Sequence, residues 1–147
     1  MSENLGARLR NAKESLSAWY DRLNAQWADA EKTLSSLNLS KNVWSTFNSE
    51  TDQTPDGRYS RDFEHCLIFM KFEGKWHICY AVGEPGDPDS FSPRPVLNCS
   101  LETRVMALEG LPKLLEKIVV ETETEANELE VTLGAAAESL ASFKTMK

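Results

Sequence analysis

The feature that most constrains the fold is an amphipathic stripe in the first quarter of the chain. Between residues 5 and 37, apolar side chains recur at spacings of three and four, the period of one helix face. They are Leu5, Leu9, Ala12, Leu16, Tyr20, Leu23, Trp27, Ala30, Leu34 and Leu37. A straight helix of this span would be about 50 Å long, whereas a compact chain of this size measures about 40 Å across. The helix is therefore predicted to overhang the rest of the molecule unless it breaks or bends.

A second long stripe closes the chain. The pattern predicts a short helix that begins after Ser100 and ends at Gly110, then a long helix from Pro112 to about Phe143. If the two long helices do not break or bend, we expect them to pack as an antiparallel hairpin that projects from a sheet. Such a projection leaves apolar surface that a second copy could cover, so the sequence predicts a homo-oligomer. The candidate interface residues are Leu16, Tyr20, Leu23, Trp27, Leu129, Leu133 and Leu140.

Residues 63–83 carry the clearest strand signal in the chain. Two runs rich in aromatic and β-branched residues flank Glu73-Gly74-Lys75, which predicts a hairpin. A three-residue loop would pair Phe72 with Trp76 and collect an apolar set on one face, whereas a two-residue loop would divide that set between both faces. We therefore expect the three-residue loop. Short strands are also predicted at residues 43–47 and 96–99, with an irregular proline-rich loop at residues 83–95.

These elements together predict an α+β fold in a single domain of residues 1–147. The long N-terminal helix occupies residues 1–37, a β-rich centre with a small antiparallel sheet occupies residues 38–99, and the short and long C-terminal helices occupy residues 100–147.

The charge pattern excludes some kinds of partner. The formal net charge is −7, and no cluster of Lys and Arg is present, so direct nucleic-acid binding and binding to an anionic membrane are not expected. The longest apolar run has only five residues, so no membrane span is predicted. Acidic side chains concentrate in the last helix, at Glu121, Glu123, Glu125, Glu128 and Glu130. They predict either a solvated helix face or an acidic surface for a basic protein partner.

Residues that could carry chemistry do not converge in the predicted hairpin. The expected register turns Cys66 away from His77 and Cys79, and it separates His65 from His77 by about 20 Å. The separation of these ligands predicts no metal site. No phosphate-binding loop or hydrolase motif occurs in the sequence, so no cofactor and no catalytic residue is predicted either. The three cysteines form no CxxC, and the N-terminal residues do not resemble a secretory signal, which predicts a reducing, cytoplasmic location.

Three functions follow from this reading, and the first is favoured. It is a non-enzymatic interaction or regulatory protein that self-associates through its helices and presents the acidic surface to a partner. The second is a small-ligand binder or enzyme that uses the sheet face with His77 and Cys79, or the loop of residues 83–95. The third is an acidic inhibitor that mimics the charge of nucleic acid.

Overall fold

A computed structural model describes residues 4–146 and shows the expected α+β arrangement. The helices are α1 (Leu5–Ser35), α2 (Leu101–Ala107) and α3 (Leu111–Thr145). The strands are β1 (Val43–Gln53), β2 (Ser60–Phe72), β3 (Lys75–Gly83) and β4 (Arg94–Pro95), and they form an antiparallel sheet in the order β1-β2-β3-β4. Short 3-10 turns lie at Pro88–Ser90, Val96–Asn98 and Leu108–Gly110. The strand predicted at residues 96–99 was therefore wrong, and β1 extends well beyond the predicted residues 43–47.

The β2–β3 hairpin has a two-residue turn, so the predicted three-residue loop was wrong. Phe72 pairs with Lys75, and Trp76 pairs with Lys71 instead of Phe72. Glu73 and Gly74 both have positive φ, at 52° and 84°, as a type I′ turn requires. This turn matches the right-handed twist of the two strands, which a longer loop has to accommodate by a bulge.

The turn divides the apolar residues of the hairpin between two faces, and both faces are buried. On the helix face, Leu67, Phe69 and Ile78 join Val43 in a core with the helices. On the opposite face, which we call the loop face, Cys66, Ile68, Cys79 and Ala81 form a second cluster, against which Phe91 from the loop after β3 packs. Because apolar residues are buried on both sides, collecting them on one face brings no advantage.

This turn can be tested by replacing its less suitable residue. Glu73 adopts a left-handed conformation that asparagine tolerates better than other residues with a Cβ. We expect Glu73→Asn to raise the free energy of unfolding by about 0.5 kcal/mol, and Gly74→Ala to lower it by about 1 kcal/mol. Chemical denaturation measures both. A neutral Gly74→Ala variant would contradict the two-residue turn.

The two long helices bury only part of their length. From α1, Leu23, Trp27 and Leu34 are buried, and from α3, Leu111, Leu114 and Ile118 are buried. Each helix is continuous, and the two make few contacts with each other, so the predicted antiparallel hairpin of helices does not form. Both pack on the sheet instead, α1 beside β3 and α3 beside β1.

Local sequence explains where the C-terminal helices begin. Ser100 caps α2 by accepting a hydrogen bond from the Thr103 amide at 3.2 Å, as predicted. Pro112 lies in the first turn of α3, where its missing amide hydrogen has no intrahelical acceptor. Between the two helices, Gly110 lies against Phe47, and a Cβ at this position would come within 2.5 Å of the ring. The absence of a side chain at Gly110 thus allows α3 to approach β1.

Candidate functional site: two projecting helical arms

Two exposed helical segments dominate the surface of the molecule. Residues 5–22 of α1, which we call the α1 arm, are exposed at every position, and so are residues 126–145 of α3, which we call the α3 arm. The arms are about 27 Å and 30 Å long at the helical rise. Asn4 caps the α1 arm, because its side chain accepts hydrogen bonds from the amides of Gly6 and Ala7. Both arms are thus regular helices in which every residue is exposed.

The arms leave the folded body at opposite ends. At one end, Trp27 Nε1 donates to the Arg104 carbonyl at 3.2 Å, and Arg104 donates to Asn24 Oδ1 at 2.5 Å. At the other end, Ser40, just after α1, donates through Oγ to Glu125 of α3 at 2.6 Å. Both helices therefore run from the Arg104 end towards the Ser40 end. Because the α1 arm precedes the packed part of its helix and the α3 arm follows it, they project in opposite directions.

Each arm carries large apolar side chains in water. On the α1 arm, Leu5 and Leu9 are both 71% exposed, and Trp19 is 59% exposed. On the α3 arm, Leu133 is 67% exposed and Phe143 74%. Exposed helices of this length are marginal in water, since a helix gains most of its stability by packing its amphipathic face. The stripes thus form apolar surface that the folded body does not cover.

The predicted interface residues divide into two groups in the structure. Five lie on the arms and are exposed: Leu16, Tyr20, Leu129, Leu133 and Leu140. The other two, Leu23 and Trp27, are only 9% and 1% exposed and belong to the chain's own core. Sequence periodicity could not separate these groups, because the same stripe continues from the packed part of α1 into its arm. Leu5, Leu9, Trp19 and Phe143 share the exposed surface. The helical periodicity was the only signal for them, with Trp19 beside the α1 stripe and the other three on a stripe.

The predicted acidic surface lies at the base and beginning of the α3 arm. Glu121, Glu123, Glu128 and Glu130 are exposed, while Glu125 is half-buried by its hydrogen bond from Ser40. A cavity of about 90 Å³ lies beside them, lined by Leu39, Lys41, Val43, Glu121, Thr124, Glu125 and Glu128. That volume holds a few waters and is too small for a drug-sized ligand.

In the alternative site on the sheet, Cys79 is closed to substrate, whereas the His77 side chain is 30% exposed. Cys79 is fully buried, and burial above all raises the pKa of its thiol to about 12, with a smaller contribution from the Glu31 carboxylate. His77 is held through Nδ1 by Glu31 of α1. A protonated, buried thiol is a poor nucleophile, so this pair lacks the properties of a catalytic dyad.

A second histidine belongs to a short polar chain that the sequence did not reveal. His65 is 8% exposed, and its Nδ1 lies 2.6 Å from the Tyr80 hydroxyl. Its Nε2 lies 3.3 Å from Oε1 of Glu50, across the β1–β2 pair. Burial is the main cause that raises the pKa of Tyr80, with smaller contributions from Cys99 and Glu50. The two-residue turn creates this contact, because it pairs Leu67 with Tyr80 and so places Tyr80 and His65 on one face.

Tyr80 also lines a cavity whose volume is in the range of ligand sites. Its volume is about 400 Å³, and it is lined by Tyr80, Ala81, Val82, Ser92, Arg94, Cys99, Ser100 and Thr103. Ser92 and the β4 residue Arg94 lie within residues 83–95, the segment predicted as part of an alternative site. Burial above all raises the pKa of Cys99, so its thiol is not activated as a nucleophile.

The corrected register also changes how the possible metal ligands lie. Cys66 and Cys79 share the buried cluster on the loop face, whereas the expected register separated them. Within residues 4–146, no three His, Cys, Asp or Glu side chains come together in a group that could hold a metal ion. In the same part of the chain, no helix has the length and hydropathy needed to cross a bilayer.

Comparison with known proteins gives no relative from which a function could be transferred. No protein-family model, curated protein or solved structure matches this chain.

Proposed function

We propose that this chain is a non-enzymatic interaction protein that self-associates through its helical arms and presents an acidic surface to a protein partner. The observation that carries the proposal is the pair of exposed, apolar helical arms at opposite ends of the folded body. A small sheet with helices on one face fixes the bases of the arms, and this arrangement suits assembly. The three cysteines of the chain are free, which is compatible with a reducing compartment. We therefore propose a cytoplasmic location.

Self-association is tested by a charge on the apolar stripe. We expect the unaltered chain to sediment as an oligomer at micromolar concentration. Leu133→Glu should shift it to monomer and leave the folded body intact, because Leu133 is 67% exposed in its own chain. Any loss of helical circular dichroism should be limited to the share of the two arms, which lose their partner. The matched control is Val131→Glu. Val131 is even more exposed, at 73%, but lies off the stripe, so this variant should remain oligomeric. A monomeric parent chain, or equal behaviour of both variants, would contradict the proposal.

The acidic surface is tested separately by capture of partners from the source cell. Replacing Glu121, Glu123 and Glu128 with glutamine removes three exposed charges and leaves the Ser40–Glu125 hydrogen bond in place. We expect the unaltered chain to capture a basic protein that the glutamine variant loses and that added salt releases. Equal capture by both chains would assign the glutamates to a solvated helix face.

A second candidate function, small-ligand binding, is supported by the cavity beside Tyr80. Its volume lies in the range of ligand sites, and Arg94, Ser100 and Thr103 supply polar groups to its lining. A screen of small molecules that finds chemical-shift changes confined to these residues would favour this candidate over the interaction protein.

A further inference from the structure

We propose that the partner of each arm is a second copy of this chain, with the α1 arm of one copy packed antiparallel against the α3 arm of the other. This inference rests on the proposed function and deepens it, because it states which helices pair and in which orientation. It is carried by three observations: the arms match in length, they carry opposite charge, and they leave the body at opposite ends.

The charges favour a mixed pair of helices. The α1 arm has four basic and two acidic side chains, whereas the α3 arm has three acidic and one basic, with Glu121, Glu123 and Glu125 just before it. Pairing two α1 arms would bring basic helices together, and pairing two α3 arms would bring acidic helices together. Only the mixed pair joins opposite charges, which stabilises it and disfavours the other two.

The positions of the arms allow the pairing to close on itself. A second copy turned end over end places its α3 arm beside the α1 arm of the first, and its α1 arm beside the first copy's α3 arm. Both pairs form in one twofold dimer, which is the commonest symmetry of soluble assemblies. Because α1 runs towards the folded body and α3 runs away from it, the paired arms are antiparallel.

The apolar stripes fit this orientation layer by layer. Alternating steps of three and four, the heptad spacing of a coiled coil, connect Leu5, Leu9, Ala12, Leu16 and Trp19 on the α1 arm, where Trp19 lies beside the stripe position Tyr20. The same steps connect Ala126, Leu129, Leu133, Ala136 and Leu140 on the α3 arm. The antiparallel register that matches them pairs Leu5 with Leu140, Leu9 with Ala136, Ala12 with Leu133, Leu16 with Leu129, and Trp19 with Ala126. Three of these layers set a large side chain against alanine, which lets the helices approach closely. The same register brings Lys13 near Glu130 of the second copy.

The pairing is tested by disulfide cross-linking in the full-length chain. Leu16→Cys and Leu129→Cys are made in separate chains, which are mixed in equal amounts and oxidised mildly. We expect a cross-linked dimer that contains both variants, and peptide mass spectrometry should locate the bond between residues 16 and 129. Neither variant alone should cross-link through its new cysteine. Both positions are exposed, at 51% and 54%, so the substitutions spare the fold.

Two controls separate failure of this pairing from failure of the proposed function. Leu16→Cys mixed with Leu140→Cys should give less than a tenth of the cross-linking, because position 140 lies about three helical turns from position 129. A dimer that cross-links between two residues 16, or between two residues 129, would overturn the mixed pairing while self-association stands. A chain that sediments only as monomer would overturn both proposals.

Charge exchange provides an independent measurement. We expect Lys13→Glu and Glu130→Lys each to raise the dimer dissociation constant several-fold, and the double variant to return it close to the parent value. If the double variant instead shows the sum of the two losses in dimer affinity, the predicted contact between Lys13 and Glu130 is wrong.

Discussion

Replacing Trp27 with alanine is expected to lower the free energy of unfolding by about 3–5 kcal/mol. Trp27 is 1% exposed and lies in the core between α1 and the helix face of the sheet. The substitution leaves a cavity and also removes the hydrogen bond from Nε1 to the Arg104 carbonyl, which joins α1 to α2. Urea denaturation followed by circular dichroism measures the loss.

The control is a tryptophan of the same helix that lies on the arm. Trp19 is 59% exposed, so Trp19→Ala should change the stability of the folded monomer by less than about 0.5 kcal/mol. Both substitutions are best compared in the Leu133→Glu background, because an oligomer would add its own association energy to the measurement. Equal losses for Trp19→Ala and Trp27→Ala would contradict the division of α1 into a packed part and an arm.

Raising the pH above 9 is expected to destabilise the fold through Cys79. The pKa of its thiol is raised from an ordinary value of 9.0 to about 12, chiefly by burial. Between these two values the unfolded chain loses the thiol proton while the folded chain keeps it. Stability therefore falls as the pH rises from about 9 towards 12, by at most about 1.4 kcal/mol per pH unit. Below pH 9 both states keep the proton, so Cys79 gives no pH dependence there.

The contribution of Cys79 can be isolated with Cys79→Ala. We expect this variant to be less stable than the parent at pH 8, because a buried side chain becomes smaller. The difference should shrink between pH 9 and pH 11, since only the parent carries the titrating thiol. The free energy of unfolding of the parent and of Cys79→Ala is measured at each pH, at one fixed protein concentration. Parallel pH profiles would contradict a buried, protonated Cys79.

The helices were the most predictable part of the fold, because their signal is local. The periodicity of residues 5–37 indicated α1 to within a few residues at each end, and Ser100 and Pro112 marked where α2 and α3 begin. How the two long helices pack was not predictable from the stripes. A stripe shows that one face of a helix is apolar, but it does not show which element packs on that face. The sheet separates the two helices, because α1 packs beside β3 and α3 packs beside β1.

The hairpin shows the opposite case, in which the element was predicted and its register was wrong. The prediction assumed that the apolar side chains of the hairpin would be collected on one face. Phe91 and the loop around it cover the second face, so residues such as Cys66 and Ile68 are buried there as well. A contact between a loop and a sheet is non-local, and the alternation within a strand does not encode it.

By itself, the sequence determined the three helices, the central hairpin and the two apolar stripes. It also determined that acidic charge gathers on the last helix. Only the tertiary structure decided which part of each stripe is used internally, burying Leu23 and Trp27 while leaving Leu16 and Leu133 in water. The physical reason is that each helix meets the sheet over a limited area. The core buries only the inner portions of α1 and α3 against residues such as Leu67 and Ile78, so the same helical pattern is buried within this area and lies in water beyond it.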